Sequence, residues 1–164
     1  RQMCIRDSFY TRGMSFIDMA YLKKSDLKNG TITYRRRKTG QQLTVKWEKC
    51  MEDIIAKYRE NTATRYLLPI ITNPCSDERT QYRNAICRIN VALKEVVGLA
   101  GLNIPLTMHV ARHCWASVAK SKNIPLSVIS EGMGHDSEET TRIYLASLDT
   151  SVVDKANSLI LKDF

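Results

Sequence analysis

The amino-acid sequence predicts an α+β domain that is mostly helical and contains one small antiparallel β-hairpin or sheet. Residues 31–34 and 43–45 alternate apolar and polar side chains, which is typical of half-buried strands. Residues 78–102 are rich in apolar side chains at helical spacing and indicate one long helix. Residues 132–145 combine a glycine turn with a following amphipathic segment, which indicates a helix end and a second helix.

Length, charge and cysteine content narrow the class of protein. The chain has 164 residues, enough for one domain with a core, and no run approaches the roughly 20 apolar residues of a membrane span. Lys and Arg number 25 against 17 Asp and Glu, and this net charge of +8 favours a polyanionic partner, although many basic domains bind nothing acidic. The five cysteines are scattered without a C-x-x-C pair, so we expect a cytoplasmic protein without disulfides or a zinc knuckle.

The first eight residues are set apart from the rest. Residues 2–8 look like a translated sequencing adapter, so we expect residues 1–8 to be a non-native leader and the native protein to extend further upstream. The alternative is an ordinary short leader. In either case we expect a single domain over residues 9–164.

The other elements of the first half follow in chain order. Residues 9–22 are expected to form a helix that packs into the core and is broken near Gly13. Residues 23–30 form a polar connection that ends in the turn signal Asn-Gly. Residues 47–60 are an amphipathic helix that supplies core side chains.

The second half contains further short elements around the long helix. Residues 66–70 are extended and apolar, and a polar loop leads from them to residue 77. Residues 126–131 form a short helix after a turn at 123–125. Residues 152–160 carry the pattern of a small amphipathic helix.

The predicted hairpin tip carries four consecutive cations, namely Arg35, Arg36, Arg37 and Lys38. Such a run usually forms a solvated face. Long cationic side chains on a short rigid ribbon are nevertheless well suited to enter a DNA groove.

Two histidines and an arginine share one face of the helix that begins after Thr107, a plausible N-cap. His109, Arg112 and His113 stand at i, i+3 and i+4. The two histidines have the spacing of a zinc hydrolase pair, but Val110 stands where such a site needs a glutamate base, which argues against zinc. A purely structural histidine pair is the remaining alternative.

Residues 132–145 place a histidine and a tyrosine around a turn. Gly134 ends one helix, Ser137 is a suitable N-cap for the next, and Tyr144 falls about two turns into it, with His135 in the turn. The alternative is an amphipathic helix in which both side chains only pack.

Taken in order, these motifs resemble the catalytic domain of the tyrosine recombinases, the phage integrase family. The resemblance covers residues 9–162 and includes Lys-Thr-Gly on the hairpin, His-x-x-Arg-His, and Gly-His followed by the tyrosine. It implies the tyrosine recombinase catalytic-domain fold without the upstream DNA core-binding domain. It also implies catalytic roles for five residues: Tyr144 as nucleophile, Arg112, His109 and His135 as phosphate ligands, and Lys38 as general acid. The alternative for Lys38 is phosphate binding alone.

The resemblance leaves the first of the family's two phosphate-binding arginines to be assigned. When Asp18 is aligned with the family's acidic residue, Ser15 occupies the position of that arginine. Arg12 would lie one turn earlier on a continuous helix, so we expect it to act as the substitute phosphate ligand; the alternative is a solvated surface charge. Further DNA contacts are expected from the remaining basic and polar positions, namely Ser15, Arg35, Arg36, Arg37 and His113. For His113 the alternative is that it orients Arg112.

The function implied by the resemblance is site-specific recombination or integration of DNA through a 3′-phosphotyrosine intermediate. This chemistry needs no metal or nucleotide cofactor, and its partners would be double-stranded DNA and three further protomers in a tetramer. The segment 152–160 would dock on a neighbouring protomer or pack on its own core. A type IB topoisomerase-like enzyme and a noncatalytic DNA-binding module are the alternatives.

Overall fold

The computed structural model describes residues 3–57, 64–101, 103 and 105–146. The elements form a mostly helical α+β fold with one small sheet, as the sequence predicts. The strands are β1 (Leu27–Lys28), β2 (Thr31–Arg35) and β3 (Gln42–Lys46). The helices are α1 (Met3–Tyr10), α2 (Phe16–Ala20), α3 (Lys49–Ala56), α4 (Glu78–Leu99), α5 (Met108–Ser121), α6 (Leu126–Met133) and α7 (Glu138–Ala146).

The sheet is antiparallel with strand order β1-β2-β3. Both predicted strands are confirmed, and the turn between β1 and β2 has positive φ at Asn29 (49°) and Gly30 (71°), as a two-residue hairpin turn requires. The prediction of residues 23–30 as connection alone was wrong, because β1 pairs with β2 there. A strand of two residues is too short to show an alternating pattern.

The core lies on one face of the sheet. Ile32 and Tyr34 of β2 stand opposite Val45 and Leu43 of β3, and all four side chains are buried. These four side chains pack against buried apolar side chains of α2, α3 and neighbouring loops. The partners include Met14, Met19, Leu22, Met51, Leu67 and Leu68. The exposed strand residues between them leave the other face of the hairpin open to solvent.

Helix α1 contains residues that the sequence assigns to a leader. Ser8 is buried, and its Oγ donates a hydrogen bond to the carbonyl of Met14 at 2.8 Å. The helix packs against α3 and α5. Residues 7 and 8 therefore belong to the packed domain, and their non-native origin stays a prediction.

Helix boundaries agree with the sequence to within a few residues. The expected break near Gly13 is present, since α1 ends at Tyr10 and α2 begins at Phe16. The long helix ends three residues early at Leu99, and α6 continues two residues further than expected, to Met133. The expected helix at 152–160 lies outside the described residues.

The C-terminal helices form a second packing unit beside the sheet. Helices α5, α6 and α7 enclose a small cluster of buried side chains, namely Ala116, Ala119, Ile129, Met133 and Leu145.

Of the helices described, none combines the length and hydropathy needed to cross a membrane.

Candidate active site

The predicted site residues converge where the hairpin tip meets the C-terminal helices. The end of β2, the first half of α5, the turn after α6 and helix α7 meet there through hydrogen bonds and ring contacts. Of the residues predicted to be catalytic, Arg112, His109, His135 and Tyr144 form one cluster, and Lys38 lies close enough to affect two of its histidines.

Arg112 is fixed in the interior by backbone carbonyls. Its residue is 4% exposed, and its Nη1 and Nη2 atoms donate hydrogen bonds to the carbonyls of Gly13 (2.7 Å) and Met133 (2.6 Å). Gly13 is required for this approach, because a Cβ there would lie 3.0 Å from both Cα and Cγ of Arg112, and φ is +71°. Two of the five guanidinium donors are thus used to orient the group.

Arg36 is the second buried arginine of the site. It is 7% exposed, its Nη1 donates to the carbonyl of Gly134, and its Nε lies 3.9 Å from Oδ2 of Asp18. Gly134 has a φ of +63°, and a Cβ there would lie 2.8 Å from Cδ of Arg36. Arg36 therefore points into the domain, so the alternative of a solvated face is wrong for this residue, and its expected contact with DNA stays a prediction.

The other tip cations are exposed. The backbone N–H of Arg37 donates to Oδ1 of Asp18 at 2.8 Å, and its guanidinium lies 3.7 Å above the ring of Tyr21. Arg35 donates to the carbonyl of Gly40 at 3.2 Å. Lys38 stands at the exposed tip of the turn. The exposed cations Arg35, Arg37 and Lys38 remain available to a polyanion.

Arg12 does not lie on a helix, so the continuous helix from which we predicted its role as a phosphate ligand is not present. Its φ is +59°, in the loop between α1 and α2, and its Nη1 donates to the carbonyl of Thr44 at 3.3 Å. Ser15 is the N-cap of α2 and donates to Oδ2 of Asp18 at 2.6 Å. Its hydroxyl thus orients the carboxylate that faces Arg36.

Tyr144 is surrounded by the three histidines of the chain. Its ring is stacked on that of His113, with centroids 4.2 Å apart and planes 5° from parallel. His135 and His109 approach it edge-on, with centroid distances of 5.6 and 6.4 Å. The predicted one-face arrangement of His109 and His113 on α5 is confirmed by their centroid distance of 5.2 Å.

Burial and neighbouring positive charge keep the three histidines and Tyr144 uncharged at neutral pH. Burial, followed by repulsion from Arg112 and Arg36, lowers the pKa of His135 to about 4. Lost hydration and then neighbouring positive groups also lower the pKa of His109 and His113. Burial raises the pKa of Tyr144 to about 12, against a smaller opposing effect of Arg112. The site therefore presents neutral imidazoles and a protonated phenol over two cationic arginines.

His135 is oriented by a residue to which the sequence assigns no role. The hydroxyl of Thr141 is fully buried and lies 2.7 Å from Nδ1 of His135. When Thr141 donates this hydrogen bond, the neutral ring carries its proton on Nε2 and can offer it to a phosphate oxygen. No sequence signal indicates this contact, since the two residues lie on either side of a helix start.

The inward orientation of Arg36 does have a sequence signal. Ile32, Tyr34 and Arg36 alternate with exposed residues, so the period of two that buries the first two also buries the third. A weaker sequence signal indicates Asp18, because it is the only acidic residue in the otherwise apolar five-residue helix α2. Among the residues that the structure describes, no group of three or more His, Cys, Asp or Glu is placed to hold a metal ion.

The fold, together with a tyrosine and three histidines over two buried arginines, defines a domain of the tyrosine recombinase class. Residues 2–151 match the phage integrase family, so the chain belongs to that family. A comparison with curated protein sequences found no match.

Solved recombinase structures share this fold. The XerA recombinase has a TM-score of 0.65 and 20% identity over 96% of this chain, and a post-cleavage complex of XerH has 0.67 and 21% over 96%. A lambda integrase dimer bound to a core site has 0.60 and 16% over 87%. The chain spans 61%, 44% and 50% of those three chains, respectively.

Proposed function

We propose that this chain is the catalytic domain of a site-specific DNA recombinase that cleaves and rejoins strands through a 3′-phosphotyrosine. The observation that carries the proposal is the position of Tyr144 among three neutral histidines beside the buried Arg112. Similar structures support DNA as substrate, since XerH is bound to its difH site and lambda integrase to a core site. Family membership supports the reaction class.

In the proposed reaction, the phenolic oxygen of Tyr144 attacks a DNA phosphorus and the bond to the 5′ oxygen breaks. The phenolic proton passes to a neutral imidazole or water, and the leaving oxygen takes a proton from Lys38. Arg112, His109 and His135 offer donors to the phosphate oxygens as negative charge develops. A second 5′-hydroxyl reverses the step and restores the phenol, so no nucleotide or metal cofactor is needed.

We further propose Arg36 as the second phosphate-facing arginine, in place of Arg12. Arg36 donates to the carbonyl of Gly134, the residue before His135, so its charge lies beside the reaction centre. After burial, repulsion from Arg36 also contributes to the lowered pKa of Arg112 and His135. The exposed Arg35, Arg37 and His109 side chains, with Lys38, form the surface that would face DNA. Action as a tetramer on paired sites, in the cytoplasm, completes the proposal; Cys50, Cys75, Cys87 and Cys114 are free thiols, which suits that compartment.

The test is formation of a covalent protein–DNA adduct. The chain is incubated with supercoiled and nicked DNA, denatured, and mapped by peptide mass spectrometry. We expect an adduct on Tyr144 that is absent in Tyr144→Phe and retained in Tyr82→Phe, a matched substitution in α4. DNA binding without any adduct would favour a noncatalytic module, and plasmid relaxation by a monomer without strand exchange would favour a topoisomerase.

A second arm of the same experiment isolates Lys38. Its replacement by Ala should slow adduct formation by about 10²-fold or more on ordinary DNA. A sulfur in place of the leaving 5′ oxygen departs as a thiolate without protonation and should restore most of the rate. Equal loss on both substrates would instead assign Lys38 to phosphate binding.

A further inference from the structure

The stack between His113 and Tyr144 is the closest ring contact in the described part of the site. The centroids lie 4.2 Å apart and the planes differ by 5°, whereas His135 and His109 meet the tyrosine at 68° and 77°. Offset or parallel stacking of this kind restricts rotation of both rings about their side-chain bonds. One face of the nucleophile is therefore covered by one imidazole.

The proposed reaction gives His113 no chemical step. The ring is partly buried, and its Nδ1 atom is buried without a hydrogen-bond partner among the described residues. That nitrogen cannot reach a DNA phosphate in this conformation. The ring makes a T-shaped contact with His109 and stacks face to face on Tyr144.

We propose that His113 is a positioning residue whose ring face fixes the plane of Tyr144 and thereby the direction of its phenolic oxygen. This inference rests on the proposed strand-cleavage function. It replaces the DNA contact that the sequence indicates for His113 with a contact to the nucleophile itself.

The placement of the two residues supports this role. His113 follows Arg112 directly on α5, so the residue that orients the nucleophile is attached to the one that faces the phosphate. Tyr144 stands on α7, which packs mainly on α6, and the stack links it directly to α5. A shift of about 1 Å in a reacting atom can cost as much as 10²-fold in rate, so such a link has kinetic consequences.

The electrostatics of the cluster are compatible with the stack. Partial burial and then repulsion from Arg112 lower the pKa of His113, which keeps the ring neutral near pH 7. A neutral ring can lie against the tyrosine without adding a third positive charge beside Arg112. The proposal itself stands on the ring geometry.

The stack can be measured without DNA. The chain has three histidines, so a ¹H–¹³C spectrum contains three sets of imidazole signals, and His113→Phe identifies which set belongs to His113. We expect these signals to be shifted upfield by the tyrosine ring current and to lose that shift in Tyr144→Leu. Unshifted His113 signals in the wild-type chain would overturn the stack.

Its kinetic role is tested with two replacements of similar bulk. His113→Phe keeps a planar ring and His113→Leu does not, while Cys114→Ser changes the exposed neighbour on α5 as control. Adduct formation is followed in a single turnover at saturating nicked duplex, with DNA affinity and thermal unfolding measured in parallel. We expect Phe and Cys114→Ser to stay within about threefold of wild type and Leu to be about 30-fold slower, with unchanged affinity.

Other results overturn the inference in distinguishable ways. A Leu variant as fast as wild type shows that no ring is needed, and equal losses in Phe and Leu show that the imidazole nitrogens act instead. If the Leu variant does not fold, the Phe variant and the spectra still decide. Absence of any wild-type adduct refutes the proposed function, whereas the spectra then report on the stack alone.

Discussion

The two buried arginines and the tyrosine of this site are held by different kinds of contact. Arg112 and Arg36 donate hydrogen bonds to backbone carbonyls of Gly13, Met133 and Gly134. Tyr144 makes ring contacts with three histidines and packs against the apolar cluster between α5, α6 and α7. Hydrogen bonds to backbone fix a direction as well as a position, whereas ring packing is less directional.

This difference separates two groups that the backbone fixes from one group that side chains fix. The carbonyls that orient the arginines belong to turns whose glycines adopt positive φ, so the cationic base of the site depends on backbone conformation. The plane of the nucleophile depends instead on side-chain contacts of modest strength, chiefly the stack on His113. We therefore expect changes at the arginines and their glycines to have larger effects than changes around the tyrosine.

The largest expected effect comes from Arg36→Lys. A lysine lacks the planar fork that reaches Gly134 and Asp18 together, so the charge would be displaced from the site. We expect adduct formation at saturating nicked DNA to fall by about 10²-fold, comparable to loss of one oxyanion donor.

Arg12→Lys is the matched comparison for that variant. Arg12 contacts only the carbonyl of Thr44 among the described hydrogen bonds, at the long distance of 3.3 Å, so we expect it to lose less than about fivefold. The reverse order of the two variants would restore Arg12 as the phosphate ligand that the sequence suggests.

The second expected effect concerns Gly134 and is a loss of stability. Ala at 134 would adopt a left-handed conformation and place its Cβ 2.8 Å from both Arg36 and Leu43. Left-handed strain costs about 1 kcal/mol and overpacking about 2 kcal/mol more, so the free energy of unfolding should fall by about 3 kcal/mol in denaturant titration.

Gly101 provides the control for the cost of placing Ala in a left-handed backbone conformation. Its φ of +61° matches the +63° of Gly134, and no atom of the residues that the structure describes lies within 4 Å of the Cβ that Ala would add. Gly101→Ala should therefore lose only about 1 kcal/mol. Equal losses in the two variants would mean that the close approach to Arg36 carries no cost.

The sequence predicted the parts of the site that depend on local spacing. The shared face of His109 and His113 follows from helix periodicity, and the left-handed end of α6 at Gly134 follows from the glycine itself. Strands β2 and β3 followed from alternation. Each of these features is determined by residues that are near neighbours in the chain.

Features that join distant segments could not be predicted in this way. Arg112 meets Gly13 across 99 residues and Arg36 meets Gly134 across 98, and no local pattern encodes either contact. Arg12 was assigned on the assumption of a continuous helix, which the left-handed turn at residues 12 and 13 interrupts. The burial of Arg36 is the exception, because this residue continues the alternation of β2 and its burial could have been predicted from that pattern.

The smallest expected effect concerns the pKa of His135, which contacts Tyr144 and is repelled by the two buried arginines. Burial and then the arginine pair lower this pKa from 6.5 to about 4, so between these pH values the unfolded chain binds a proton that the folded chain does not. The contribution of His135 to the free energy of unfolding is therefore complete above pH 6.5 and is lost as the pH decreases to about 4. One pKa unit corresponds to about 1.4 kcal/mol, and partial solvent access reduces the total to about 2 kcal/mol.

Denaturant titrations of wild type and His135→Asn across this pH range measure the effect. Asn keeps a polar partner for Thr141 but does not titrate, and subtracting its curve removes the contribution of carboxylates that titrate below pH 5. We expect the two curves to converge by about 2 kcal/mol as the pH falls from 6.5 to 4. Parallel curves would show that the pKa of His135 is not lowered in the folded chain. Neither burial nor the backbone-anchored arginines would then set the charge state of this histidine, and the arginines would act on the bound phosphate alone.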